Sequence, residues 1–208
     1  MTPIYHITHV RNLPSILEQG GLYATSALAQ RQVDHVNIAH RNIQDRRATT
    51  PVPVPPGGVL HDYVPFYFAP RSPMLYAIHR GSVRGYTEGQ APIVHLVSST
   101  EVVAQHQRPF TFTDGHAIMA ITHFYNDLRH LTQLDWTILR ATFWADTLDD
   151  NDRTRRRNAE FLVQHFVPWD LIQGIGVMYQ DTARTVAQIL ADYAPAPDIK
   201  IHKDWYYW

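Results

Sequence analysis

The chain has 208 residues, 45% of them hydrophobic and 18% charged, with a net charge of −1 and no cysteine. That balance suits one ordered globular domain over 1–208 and excludes a disulfide scaffold, thiolate chemistry and a broadly basic duplex-DNA binder. No apolar run approaches the ~18 residues of a membrane span, and the opening residues lack a charged-then-apolar leader pattern, so the expected compartment is the cytoplasm.

In chain order, 4-IYHITHV-10 reads as a strand, and 13-LPSILEQ-19 as a helix that Asn12 could cap and Gly20-Gly21 would stop. A further helix is expected over 25-TSALAQR-31. The polar stretch 32–58 shows no steady period and ends in Pro51, Pro53, Pro55, Pro56 and two glycines, the profile of a long functional loop. Then come an aromatic strand, 62-DYVPFYFAP-70, a short helix in 71–81 and a strand over 92–99. The stretch 116-HAIMAITHFYNDLRHL-131 reads as mainly helical. Strands follow at 159–167 and 174–179, an amphipathic helix at 181–193, and a final strand at 199–208. Strands and helices mix without strict alternation, which predicts α+β.

Three groupings stand out. On the first strand His6 and Thr8 share a face; together they could hold a ligand hydroxyl, or that face could simply be wet. In 66-FYFAPRSPMLY-76, Ser72 is placed to cap the following helix, and Tyr67 and Tyr76 could clamp a flat ring. Phe66 and Phe68, by contrast, are core residues. The third grouping sets four aspartates in 145-ADTLDDND-152 before Arg153, Arg155, Arg156 and Arg157, with Glu160 opening the next strand. Most of that charge reads as a self-cancelling solvated loop. A carboxylate entering a buried strand is different, because it must be paired or hydrogen-bonded. Arginines beside it also suit a phosphate-bearing substrate. Thirteen histidines are scattered with no HExxH or paired metal spacing, so no metal is expected.

Taken in order, these groupings resemble the histidine, aromatic and glutamate series of the ADP-ribosyltransferase superfamily, in its poly(ADP-ribose) polymerase-like branch. The stretch 60-LHDYVPFYFAPRSPMLYAI-78, with 5-YHITHVRNLPSILEQGGLYA-24, 43-IQDRRATTPV-52 and 157-RNAEFLV-163, is similar to the DarT family. That resemblance covers essentially the whole chain. It implies an ADP-ribosyltransferase-like fold with split central sheets flanked by helices. It also implies transfer of ADP-ribose from NAD to a thymine ring nitrogen in single-stranded DNA, and a toxin countered by a macrodomain antitoxin.

Carried onto this chain, the resemblance makes Glu160 the carboxylate that steadies the ribose and could draw the base's proton. It makes Arg47 or Arg46 the guanidinium that stabilises the thymine anion, although either could bind the NAD pyrophosphate instead. His6, Thr8, Asn12, Leu22, Tyr67, Ser72, Met74 and Tyr76 are the implied NAD contacts. Arg153, Arg155, Arg156 and Arg157 are expected on DNA phosphates. Rival readings are a transferase for guanine, RNA or protein, against whose arginine-directed form Asn158 argues, and a non-enzymatic single-stranded nucleic-acid binder.

Overall fold

The computed structural model describes residues 1–31, 33–194 and 196–208. The chain opens with β1 (Pro3–His9), α1 (Leu13–Glu18), β2 (Gly21–Tyr23), α2 (Thr25–Arg31), α3 (Arg41–Thr49) and β3 (Tyr63–Tyr67). It continues through α4 (Pro73–His79), β4 (Ile93–Ser99), α5 (Thr100–Gln105), β5 (Phe110–Thr113), β6 (Phe124–Tyr125) and α6 (Trp136–Arg140). The last part holds α7 (Arg153–Arg157), β7 (Glu160–Gln164), β8 (Phe166–Pro168), β9 (Gly174–Val177), α8 (Gln180–Ile189) and β10 (Asp198–Ile201).

Eight strands form one mixed sheet in the order β10-β9-β4-β1-β3-β7-β5-β6, and β2 pairs with β8 in a second, small sheet. This is the split-sheet α+β arrangement expected. Only β9 and β10 run parallel; the other pairings are antiparallel. The main core packs Ile4, Val64, Phe66, Phe68, Phe112 and Phe161 against helices on one face, so Phe66 and Phe68 are core residues as read from the sequence. Rings of Phe68, Phe110 and Phe112 surround Phe161, whose removal would cost about 3–5 kcal/mol. That packing fixes the strand that begins at Glu160.

The sequence signals hold for α1, which stops at Gly20 in a left-handed conformation (φ +74). Asn12 precedes α1 without a side-chain cap bond; its amide instead clasps Val36 through both N–H and C=O. Ser72 caps α4 as expected, accepting from the Leu75 amide at 3.1 Å.

Four expectations are corrected. The segment 32–58 contains α3, a helix with no apolar stripe for a periodicity argument to find. Its proline run is not an open lid: Val52 donates to Gly58 O at 2.9 Å, Tyr63 donates to Gly57 O at 2.5 Å, and buried Val52 packs with Leu60, Tyr63 and Ile118. The stretch 116–131 is not a helix. It is a turn, the short strand β6 and a 3-10 segment over Leu128–Gln133, because Ala117 and Ile118 are drawn into that same cluster. The late strand breaks into β7 and β8 at His165, which adopts φ +62, and the final strand ends at Ile201, before a 3-10 turn over Lys203–Trp205.

Candidate active site

Adjacent strands set the geometry. Tyr5 of β1 lies opposite Tyr67 of β3, and Tyr67 lies opposite Glu160 of β7. A cavity of about 410 Å³ opens over this junction, and His6, Tyr67 and Glu160 all line it. Thr8, Asn12, Leu22 and Met74 border it too, together with Arg47, His116 and Asn158.

Glu160 is only 4% exposed. Burial alone would raise its pKa, but the Arg47 guanidinium and His116 override that and hold it down at about 2. Arg47 donates through Nη1 to Glu160 Oε2 at 2.7 Å, and it is itself buried. The other carboxylate oxygen lies 3.6 Å from His116 Nδ1 and accepts a long bond, 3.5 Å, from the Ala117 amide. The carboxylate is therefore ionised at neutral pH. Arg47 Nη2 remains buried without a hydrogen-bond partner, so it can still bond a ligand, whereas His116 Nδ1 is directed at Glu160.

His6 is held neutral by burial, partly offset by the Pro65 carbonyl. Nδ1 lies 2.8 Å from Pro65 O, which makes it the donor and leaves Nε2 as an acceptor. Burial, reinforced by Glu160, pushes the Tyr67 hydroxyl far above its ordinary pKa, so it stays protonated and can donate. Asn12 spends its amide on Thr8 Oγ1 (3.0 Å) and on Val36. It ties β1 to the segment that closes the cavity.

Other expected site residues lie elsewhere. Tyr76 is off the cavity, where it packs against Trp144 and Tyr207. Ser72 is buried and committed to its cap. Arg46 is exposed and donates to Ile118 O at 3.0 Å; Arg47 is the arginine that meets Glu160.

The four arginines of α7, expected on DNA phosphates, are all bonded within the fold. Arg153 donates to the carbonyls of Phe143 and Ala145. Arg155 grips both oxygens of Asp152 at 2.7 Å and Asp114 at 2.9 Å. Arg156 pairs with Asp135, Asp150 and Asp152. Arg157 is 4% exposed and donates to the carbonyls of Ile138, Leu139 and Arg71. A bidentate, partly buried ion pair is fixed architecture rather than an adaptable phosphate contact. The charged stretch clamps the turn that carries His116. The His116 amide donates to Arg155 O at 2.9 Å, and Thr122 Oγ1 donates to His116 O at 2.8 Å. Gly115 has no side chain because a Cβ there would fall on the Arg155 side chain.

His116 was invisible in the sequence. Nothing in its spacing links it to Glu160, and its segment looked helical.

Among the described residues no group of three or more His, Asp or Glu side chains gathers as a metal site, and no helix is long and apolar enough to cross a membrane. The chain is 48% identical to a DNA ADP-ribosyl transferase of Thermus sp. strain 2.9, over 99% of this chain and 96% of that protein. The fold is similar to Thermus sp. 2.9 DarT in complex with ADP-ribosylated single-stranded DNA, with a TM-score of 0.92 and 46% identity over 99% of this chain and 96% of that one. The same Thermus protein in complex with NAD+ gives a TM-score of 0.89 and 45% identity over 99% and 98%. A Thermosipho africanus protein, named as a fusion of DNA ADP-ribosyl transferase and DNA ADP-ribosyl glycohydrolase, is 22% identical over 90% of this chain and 45% of its own length. The family model for the single-stranded-DNA thymidine ADP-ribosyltransferase DarT matches residues 5–207. With its strand junction, buried carboxylate and these relatives, the chain belongs to the DarT family, enzymes that move ADP-ribose from NAD onto thymidine in single-stranded DNA.

Proposed function

We propose that Glu160 and Arg47 divide the chemistry of this transfer between them. The carboxylate stabilises the positive charge that grows on the ribose as nicotinamide leaves, an interaction stronger in the transition state than in the ground state. With a pKa near 2, Glu160 is a weak base, so its part is electrostatic. Arg47 keeps Nη2 free for the thymine imide. In a DNA strand only ring nitrogen N3 of thymine still carries hydrogen. Its bond to ribose C1 forms as the C1–nicotinamide bond breaks. The old bonding pair departs with neutral nicotinamide, and the imide proton is lost to solvent. A guanidinium stabilises the developing imide anion without itself titrating.

His6, Thr8 and Tyr67 hold NAD in this reading, with Leu22 and Met74 supplying apolar contact. Residues 1–208 act as one ADP-ribosyltransferase domain, which is supported by a sheet that takes β1 from one end of the chain and β10 from the other. The protein works in the cytoplasm as a toxin. Its partner is a macrodomain-type glycohydrolase that reverses the mark, a reading supported by the fused relative.

The observation that carries the reading is the buried Arg47–Glu160 pair, lining the cavity of His6 and Tyr67 with the guanidinium Nη2 unspent. Mass spectrometry of oligonucleotides with and without thymidine, incubated with protein and NAD, tests it. One ADP-ribose on thymidine-containing strands only is expected. Equal labelling of thymidine-free strands would reject thymine as acceptor.

A further inference from the structure

A sugar cation at ribose C1 does not by itself select thymine. Cytosine carries an unprotonated N3 with a free lone pair, so it is the readier nucleophile of the two pyrimidines. The edges differ beside that nitrogen. Thymine sets a carbonyl oxygen on each side of N3, whereas cytosine sets one carbonyl and one amino group there. A site that takes thymine and refuses cytosine must offer two hydrogen-bond donors, one for each oxygen. Arg47 Nη2 is one of them.

The second lies one turn back along α3. Gln44 borders the same cavity as Arg47, and residues three apart on a helix are neighbours, with Cβ atoms about 5–6 Å apart. Its oxygen is already engaged: Gln44 Oε1 accepts from the His61 ring, whose Nε2 lies 3.0 Å away. His61 does not line the cavity. An amide whose carbonyl is held from outside has only its NH2 group to turn to a ligand. Among the described residues that group makes no hydrogen bond.

His61 is well placed to fix this arrangement. It sits on the 3-10 turn Leu60–Asp62, which leads straight into β3. Leu60 is fully buried, and its amide donates at 3.0 Å to Thr50 O, just past the end of α3. The Thr50 amide and hydroxyl donate in turn to Arg46 O at 3.0 and 2.8 Å. The turn therefore holds α3 at the rotation that gives Arg47 to Glu160 and sends Arg46 to Ile118. Burial, and then the Arg47 charge, keep the His61 ring neutral against the pull of Asp62 and Asp45. A neutral ring donating through Nε2 has one tautomer, so the amide it grips has one orientation.

We propose, on the reading that thymine N3 is the acceptor, that Gln44 and Arg47 together recognise the two carbonyl oxygens of thymine and that His61 is the positioning residue that turns the Gln44 amide for this task. The amino group of cytosine meets an N–H of this pair instead of an acceptor. Both groups are then left unpaired, which rejects the better nucleophile.

The test measures transfer by the full chain to two strands that differ in a single base, thymine or 5-methylcytosine. The second base keeps the ring and the methyl group and changes only the edge. Gln44→Met keeps the length of the side chain and removes its donors. It should lower kcat/KM for the thymine strand about 10–100-fold and shrink the thymine-to-5-methylcytosine ratio, with KM for NAD unmoved. His61→Phe, a ring without the N–H, should shift the ratio the same way by about 3–10-fold. His61→Gln restores a donor and should recover most of that loss. The NAD-induced thermal shift of each variant checks that the fold survives. Unchanged kcat/KM and ratio in Gln44→Met would overturn the proposal, as would a raised KM for NAD with the preference for thymine intact. A His61→Phe protein that melts lower but keeps the full ratio would remove His61 from positioning. Equal labelling of both strands by the unaltered protein would instead strike the thymine reading itself.

Discussion

Arg47 and Arg155 are both largely buried arginines bonded to acids, yet they serve opposite ends. Arg155 engages Nε, Nη1 and Nη2 alike on Asp152, Asp114 and Thr122, leaving no nitrogen without a protein partner. Arg47 spends Nη1 on Glu160 and keeps Nη2 without a protein partner, facing a cavity. The lesson is to count unspent donors. A guanidinium whose geometry is saturated holds the scaffold, and one with a remainder is available to a ligand.

The comparison can be broken most directly at the acid. Glu160→Gln keeps the shape and removes the charge. Transfer to DNA, followed by mass spectrometry, should fall about 10²–10³-fold, while the NAD-induced thermal shift persists. Near-normal turnover would take Glu160 out of the chemistry.

At the next level lies stability. Arg47→Ala leaves a buried carboxylate unpaired, so it should cost about 3–5 kcal/mol in urea unfolding. Arg47→Ala with Glu160→Ala should recover part of that loss. If the double variant is no more stable than the single one, the pair is not coupled as drawn. Both should be inactive on thymidine.

A third prediction concerns acid. The folded pKa of Glu160 is depressed, so the stability it contributes is complete above the unfolded carboxylate pKa of about 4.3 and is lost as pH falls toward about 2. Thermal melts between pH 5 and 2 should show this acid sensitivity weakened in Glu160→Gln.

Smaller again, Arg155→Ala should cost about 1–3 kcal/mol. It should also slow transfer through the His116 turn while leaving the salt slope of DNA binding unchanged. A shallower slope would return α7 to the DNA interface. Smallest, Ser72→Ala should lower stability by about 1 kcal/mol through loss of the α4 cap, with NAD affinity unmoved.

Much of the scaffold was legible in the chain because its signals are local. Alternation marked β1 and β3, a two-glycine stop closed α1, and an amphipathic stripe announced α8. The helix α3 was not legible: RNIQDRRAT offers Ile43 as its one large apolar residue, and its place is set by what it touches rather than by its own pattern. The stretch 116–131 failed in the opposite sense, since its apolar residues are divided. Ala117, Ile118 and Phe124 go to the cluster around Val52 and Leu60, Tyr125, Leu128 and Leu131 to the main core, and Met119 and Ile121 are exposed. At the site, motif order was enough to bring His6, Tyr67 and Glu160 together. It could not separate Arg46 from Arg47, which depends on the rotation of α3. Nor could it find His116, or show that the α7 arginines were already satisfied by Asp114 and Asp135, partners far off in sequence.

The bond between Arg47 and Glu160 spans 113 positions of the chain. A nascent polypeptide carries the guanidinium 113 residues before it receives its carboxylate. If Glu160 has the role proposed, chains that stop before that strand lack the carboxylate, and the expected outcome is no transfer to DNA.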